Sequence, residues 1–118
     1  MKCQRIVLGL LLVGLFLTIP VGADSSQEVF LEWQRCLGGS NGDGILSVRQ
    51  TADGGYIVAG ATFSTDGDVT GNHGLWDAWV VKLDDADSIE WQRCLGGSND
   101  DGILSVRQTA DGGYIVAG

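Results

Sequence analysis

The sequence predicts an all-β fold assembled from short antiparallel strands, and three observations predict it. The first is an internal repeat. Residues 32–60, EWQRCLGGSNGDGILSVRQTADGGYIVAG, return at 90–118 with one difference, Asp100 in place of Gly42. Self-similarity at a fixed offset, here 58 residues, marks a repeat architecture in which each unit needs neighbours to bury its apolar faces. The second is turn chemistry. Asp53-Gly54 and Asp111-Gly112 separate apolar, β-branched runs, and Asp-Gly in that setting makes a tight hairpin because glycine takes a positive φ without steric cost. The third is that no stretch after residue 23 shows an apolar stripe of helical period with caps.

The elements follow in order. Residues 45–51, ILSVRQT, lie between Gly44 and the Ala-Asp-Gly-Gly turn at 52–55 and predict the first strand of the unit. Residues 56–63, YIVAGATF, are apolar almost without alternation, as in a strand covered on both faces. Gly60 inside them marks a bulge or a close backbone approach. Residues 64–76, STDGDVTGNHGLW, hold three glycines among Asp, Asn and Thr and predict a long loop. Residues 77–83, DAWVVKL, predict the third strand, with Trp79, Val81 and Leu83 on one face. A turn at 84–87 leads to the fourth strand at 88–95, SIEWQRCL, and the 96–102 turn returns to the next unit. By the repeat, 32–37 is a further fourth strand and 114–118 a clipped second strand. Four short antiparallel strands per unit are the pattern of a β-propeller, with the 64–76 loop adding to the roughly 40–50 residues of common propeller repeats. A sandwich or β-solenoid is the rival, and the unalternating second strand favours stacked sheets.

WQRCLGGS, STDGDVTGNHG, DAWVVKLD and DGGYIVAG, the last at 53–60 and 111–118, together resemble the long propeller-type repeats found in tandem in exported archaeal and bacterial surface proteins. The resemblance covers nearly all of residues 31–118. It implies many repeats closing into propellers, with roles in surface display, adhesion or polymer binding. One departure is the 84–87 turn, Asp-Asp-Ala-Asp, where the pattern has a glycine near Asp87. The other is the count. About one and a half units predict a truncated product, a fragment, or a protomer completed by self-association or further repeats, and not a stable monomer.

The first 23 residues read as a leader. Lys2 and Arg5 precede an apolar run at 6–19, and Pro-Val-Gly-Ala follows at 20–23, the layout of a secretory signal peptide cleaved after Ala23. The run is shorter than the roughly 18–20 residues of a membrane-spanning helix; an uncleaved anchor is the alternative. Residues 24–31 read as a linker into the repeat region at 32–118. The chain carries 7 Lys and Arg against 15 Asp and Glu, net −8, and losing Lys2 and Arg5 with the leader takes it to −10. Such a surface repels phosphate backbones, which argues against a nucleic-acid partner. Cys3 leaves with the leader. Cys36 and Cys94 occupy one position of the repeat, a full repeat apart, whereas a disulfide needs Cα atoms within about 7 Å. Two buried free thiols are therefore expected. With His73 as the one histidine and no CxxC, a zinc ligand set is absent.

One constellation carries chemistry. Asp66, Asp68, Thr70, Gly71, Asn72 and Asp77 stand at positions 1, 3, 5, 6, 7 and 12 of a calcium-loop pattern, in which alternate residues turn oxygens onto one cation and position 12 closes the shell. Thr70 departs from the pattern, Asp77 is shorter than the usual Glu, and no helices flank the loop. The competing reading is a turn-rich loop with solvated carboxylates. Asp66 and Asp68 as a glycosidase pair, or His73 in a nucleophilic triad, lack the partners those mechanisms need. Trp33 and Trp91 share one repeat position and read as sheet-to-sheet packing or, as a ladder, as glycan-stacking faces. These readings predict an exported, non-enzymatic repeat protein, secreted or at the cell surface, with a structural or binding role, a glycan or protein ligand, and calcium as the one candidate cofactor. The alternatives are the propeller portion of a polymer-active hydrolase or lyase whose catalytic part lies elsewhere, and a non-functional remnant.

Overall fold

β-Branched and aromatic residues fill six strands in the computed structural model, which describes residues 30–118. The predicted leader, and residues 24–29 of the predicted linker, lie outside the described residues. β1 (Asp43–Gln50), β2 (Tyr56–Thr62), β3 (Asp77–Leu83) and β4 (Ile89–Leu95) form one antiparallel sheet in the order β1-β2-β3-β4. β5 (Ser105–Gln108) and β6 (Tyr114–Ala117) form a second, antiparallel pair. No helix occurs among the described residues, and the all-β class stands.

Residues 30–36 belong to a unit separate from Leu37–Gly118 and are irregular chain. The fourth strand expected at 32–37 is therefore corrected. Its repeat counterpart, β4, is held by the ladder to β3. The same residues thus take different backbone conformations in the two copies, so local propensity alone does not set the strand. The expectation of two free thiols is also corrected. Cys94 is free, but Cys36 is disulfide-bonded. The two are not joined to each other, as their separation in the repeat requires.

The turns repeat with the sequence. Gly54 has φ +87° and Gly112 +86°, and Thr51 N–H donates to Gly55 O as Thr109 N–H donates to Gly113 O, both at 2.9 Å. Gly60 joins its two predicted features in one. A Cβ there would stand 1.9 Å from Gly44 O, and the β1–β2 register shifts between Ile45 and Ser47, beside it. The 84–87 turn manages without glycine: Asp87 itself takes φ +61°, a region that Asp tolerates better than most residues. The Asp84 carboxylate holds the turn by accepting from Ala86 N–H at 2.9 Å and Ser88 N–H at 2.8 Å.

The first sheet is covered on both faces, which is why its central strands do not alternate. On one face Ile57, Ala59, Ala78 and Val80 pack against Ile103 and Val106, with Trp91, Tyr114 and Val116 at the margin. On the other, Val58, Trp79, Val81 and Leu83 pack with Val69, contributed by the long loop. β3 is buried along its whole length. Each large apolar side chain so buried contributes about 1.5–3 kcal/mol relative to exposure, and the central position of β2 and β3 lets both faces collect it.

Candidate functional site

Residues 64–76 are built onto the sheet from their middle. Val69 is fully buried, and its entry into the apolar cluster draws the loop flat against β3 and β4. Polar contacts then fix each side of it. Trp79 Nε1 donates to Gln92 Oε1 at 2.8 Å. Gln92 Nε2 in turn donates to the Thr70 carbonyl at 3.1 Å and to the Thr70 hydroxyl. Before Val69, Asp68 N–H donates to Gly38 O at 3.0 Å, and Asp68 Oδ2 accepts from Gly38 N–H at 3.2 Å. Asp66 Oδ1 accepts from Ser40 N–H at 2.8 Å. That bond and the Ser40 side chain hold the Asp66 carboxyl below its ordinary value.

The five candidate calcium ligands are thereby given separate partners. Asp66 and Asp68 face the 38–40 segment, and Thr70 faces β4. Asn72 Nδ2 donates to Thr62 O and Leu75 O, each at 3.2 Å, and its Oδ1 accepts from Gly74 N–H at 2.9 Å. Asp77 is fully buried. Its Oδ2 accepts from His73 N–H at 3.0 Å and lies 2.6 Å from His73 Nδ1. Asp77 Oδ1 is buried with no hydrogen-bond partner. Among the described residues no group of three or more His, Cys, Asp and Glu stands ready to hold a metal ion. The spacing of the pattern is present, and burial of Val69 holds the middle of the loop against the sheet.

Asp43, at the start of β1, escaped sequence reasoning. One oxygen accepts from the Thr62 hydroxyl, the other from Ser64 Oγ at 2.9 Å and Gly39 N–H at 2.8 Å. It ties the 38–43 turn to the end of β2. Its repeat counterpart Asp101 accepts from Gly97 N–H at 2.8 Å. The sequence pattern Asn-x-Asp-Gly, present at 41–44 and again at 99–102, was the available signal. Cys94 lies near this end of the sheet. Burial pushes its thiol up to about 11, and the Asp77 and Asp43 charges add to the effect.

At the other end stands Lys82, 2% exposed. Its Nζ lies 2.9 Å from Asp53 Oδ2 and 3.3 Å from Glu90 Oε2, and it donates to Leu83 O at 2.8 Å. Burial opposes its charge, yet the two carboxylates outweigh burial and raise its pKa. Asp53 is held well below the carboxylate range by the Thr51 hydroxyl, then by Lys82 and Gly55 N–H. Asp111, its repeat counterpart, is lowered by Thr109 and Gly113 without a lysine. Between the sheets, Val80, Trp91, Arg93, Leu95, Tyr114 and Val116 line a cleft of about 210 Å³. Trp91 is committed there to an edge-on contact with Tyr114, centroids 5.7 Å apart, the packing expectation for this repeat position.

What these groups can do is largely structural. Asp53 and Asp84 accept hydrogen bonds that close turns, Asp43, Asp66 and Asp68 accept bonds that tie the 38–43 segment to the end of β2 and to the long loop, and Lys82 neutralises two carboxylates at a sheet end. No family model, curated protein or solved structure matches the chain.

Proposed function

We propose that this chain is an exported repeat protein of the β-propeller type, secreted or held at the cell surface, where stacked sheets serve a structural or binding role without catalysis of their own. The observation that supports it is the face-to-face stacking of the second sequence copy on the first. Ile103 and Val106, 3% and 1% exposed, bury against Ile57, Ala59, Ala78 and Val80, which is what repeats that share a core require. The test is the fate of the chain in a cell that exports proteins. A product beginning at Asp24 and accessible to protease on intact cells is expected. A cytosolic product that keeps Met1 would contradict export.

A weak calcium site at Asp66, Asp68, Thr70, Asn72 and Asp77 is a second reading, favoured by the buried, partnerless Asp77 Oδ1. Terbium emission sensitised by Trp76 or Trp79 and lost in the Asp66→Ala/Asp68→Ala variant supports it. No emission, or emission that survives the substitutions, contradicts it.

A further inference from the structure

The two copies of the repeat differ at one position, Gly42 against Asp100, and both residues meet Trp76. Gly42 does not take a positive φ, so conformational freedom is not what the position needs. It needs room: a Cβ there would stand 2.9 Å from Trp76 Cη2 and 3.3 Å from its Cζ2. In the second copy the side chain is used instead. Asp100 Oδ1 accepts from Trp76 N–H at 3.3 Å, and Asp101 N–H donates to Trp76 O at 2.6 Å. The first-copy turn thus seats the indole, and the second-copy turn holds its backbone. Phe63 N–H donates to Gly42 O at 2.8 Å, and its ring lies beside the indole, centroids 5.7 Å apart and planes tilted by 50°.

Held from both sides, Trp76 is nonetheless 37% exposed, with Phe63 at 39% and Leu75 at 48%. Keeping two aromatic rings fixed and open to water forgoes the stabilisation that full burial would give them, which marks a binding surface. We propose that Trp76 and Phe63 form a stacking platform for a neutral glycan with equatorial hydroxyls, of the β-1,4-linked kind. The proposal deepens the binding role above and rests on it, and not on where the protein resides. Charge selects the ligand. Residues 36–48, 61–78 and 94–104, the segments around the platform, hold six aspartates and neither lysine nor arginine, so phosphate headgroups and acidic polymers are repelled. A neutral pyranose brings what the surface takes: a flat C–H face for the rings, and hydroxyl donors for the exposed residues Asp100 and Asn41 beside the indole. An aromatic ring that is already fixed loses little freedom on contact, so stacking keeps most of its free energy. Two open rings tilted to each other are not a cage around a cation, which sets a neutral sugar ahead of a basic peptide.

Calorimetric titration with cellohexaose and with chitohexaose tests this. The parent is expected to bind at least one of them with a Kd at or below about 1 mM. Trp76→Ala, a change at an exposed side chain, is expected to weaken binding about tenfold or more, and Phe63→Ala several-fold. Gly42→Asp unseats the indole and is expected to weaken binding about tenfold; it gives the first turn the residue with which the second already folds. Each variant should keep the β-sheet circular dichroism of the parent, and Trp33→Ala should bind like the parent. Binding of neither glycan, binding that survives both Trp76→Ala and Gly42→Asp, or a hexa-arginine peptide taken up by the same rings in place of the glycans overturns the inference. An exported protein that binds neither glycan would overturn it and leave export standing, while glycan capture through Trp76 in a protein never exported would do the reverse.

Discussion

One sequence, Ile-Leu-Ser-Val, occurs at 45–48 and at 103–106 with two outcomes. In both copies the leucine is open, Leu46 at 61% and Leu104 at 71%. The flanking isoleucine and valine are open in the first copy and buried in the second. Local propensity is the same in both, so propensity cannot be the cause. The cause is whether an apolar sheet face lies opposite, which is a tertiary property. The same contrast runs through the charges. Asp53 and Asp111 close identical turns, but Asp53 also meets Lys82, which the sequence contains once.

The largest effect that would break this comparison is a charge placed on each valine. Val106→Asp is expected to cost about 3–5 kcal/mol, because the charge is buried without a partner. Val48→Asp is expected to stay within about 1 kcal/mol. Urea unfolding measures both, and equal losses would break the comparison. The cysteines come next. With its thiol raised from 9.0 to about 11, Cys94 should react with a thiolate-selective reagent near pH 8 roughly a hundredfold more slowly than an ordinary thiol. A rate equal to that in urea would remove the claimed burial.

The aspartates sharpen the comparison further. Asp53→Asn is expected to lower the urea midpoint more than Asp111→Asn does, since only the former leaves buried Lys82 with Glu90 alone. The pH profile follows from the same pair. A folded carboxyl pKa below its ordinary 3.8 stabilises the fold above that pH, and this contribution is lost as acid titrates Asp53. A folded lysine pKa above its ordinary 10.5 stabilises the fold below that pH, and this contribution is lost as pH rises through the folded value. The raised Cys94 thiol works in the alkaline range too, taking away stability as pH climbs from 9.0 to about 11. Asp53→Asn should therefore flatten the acid limb, and an unchanged limb would deny the ion pair its role. The smallest effect lies at the turn without glycine. Asp87→Gly removes a left-handed non-glycine residue and is expected to change stability by about 1 kcal/mol or less, on the stabilising side.

The strands were legible where turn chemistry bounded them. Asp53-Gly54 fixed the β1–β2 hairpin, and Gly60 announced the bulge beside it. β2 was readable as a two-face strand because its apolar run has no gaps. The 32–37 strand was misread because repeat identity carries the sequence pattern of a strand but not its tertiary surroundings. The course of the loop was not legible for a similar reason. Spacing put Asp66, Asp68, Thr70, Asn72 and Asp77 in a ligand pattern, yet burial of one apolar residue, Val69, decided the course of the loop. Lys82 gave no signal, since a lysine in a strand is ordinarily solvated, and only the fold brings Asp53 and Glu90 to it. Asp43 was visible as a turn residue, but its bonds to Thr62 and Ser64 depend on β2 lying alongside.

Hydroxyl-radical footprinting of the dilute protein tests the central claim most directly. Reduction and cleavage after arginine then yield peptides 36–49 and 94–107, whose masses differ through Gly42 and Asp100 alone, so identical side chains can be compared in one experiment. Oxidation at Leu46 and Leu104 should be similar, while Ile45 and Val48 should be oxidised several-fold more than Ile103 and Val106. Equal oxidation of the two pairs would contradict the account, because it would mean that the second copy does not pack on the first.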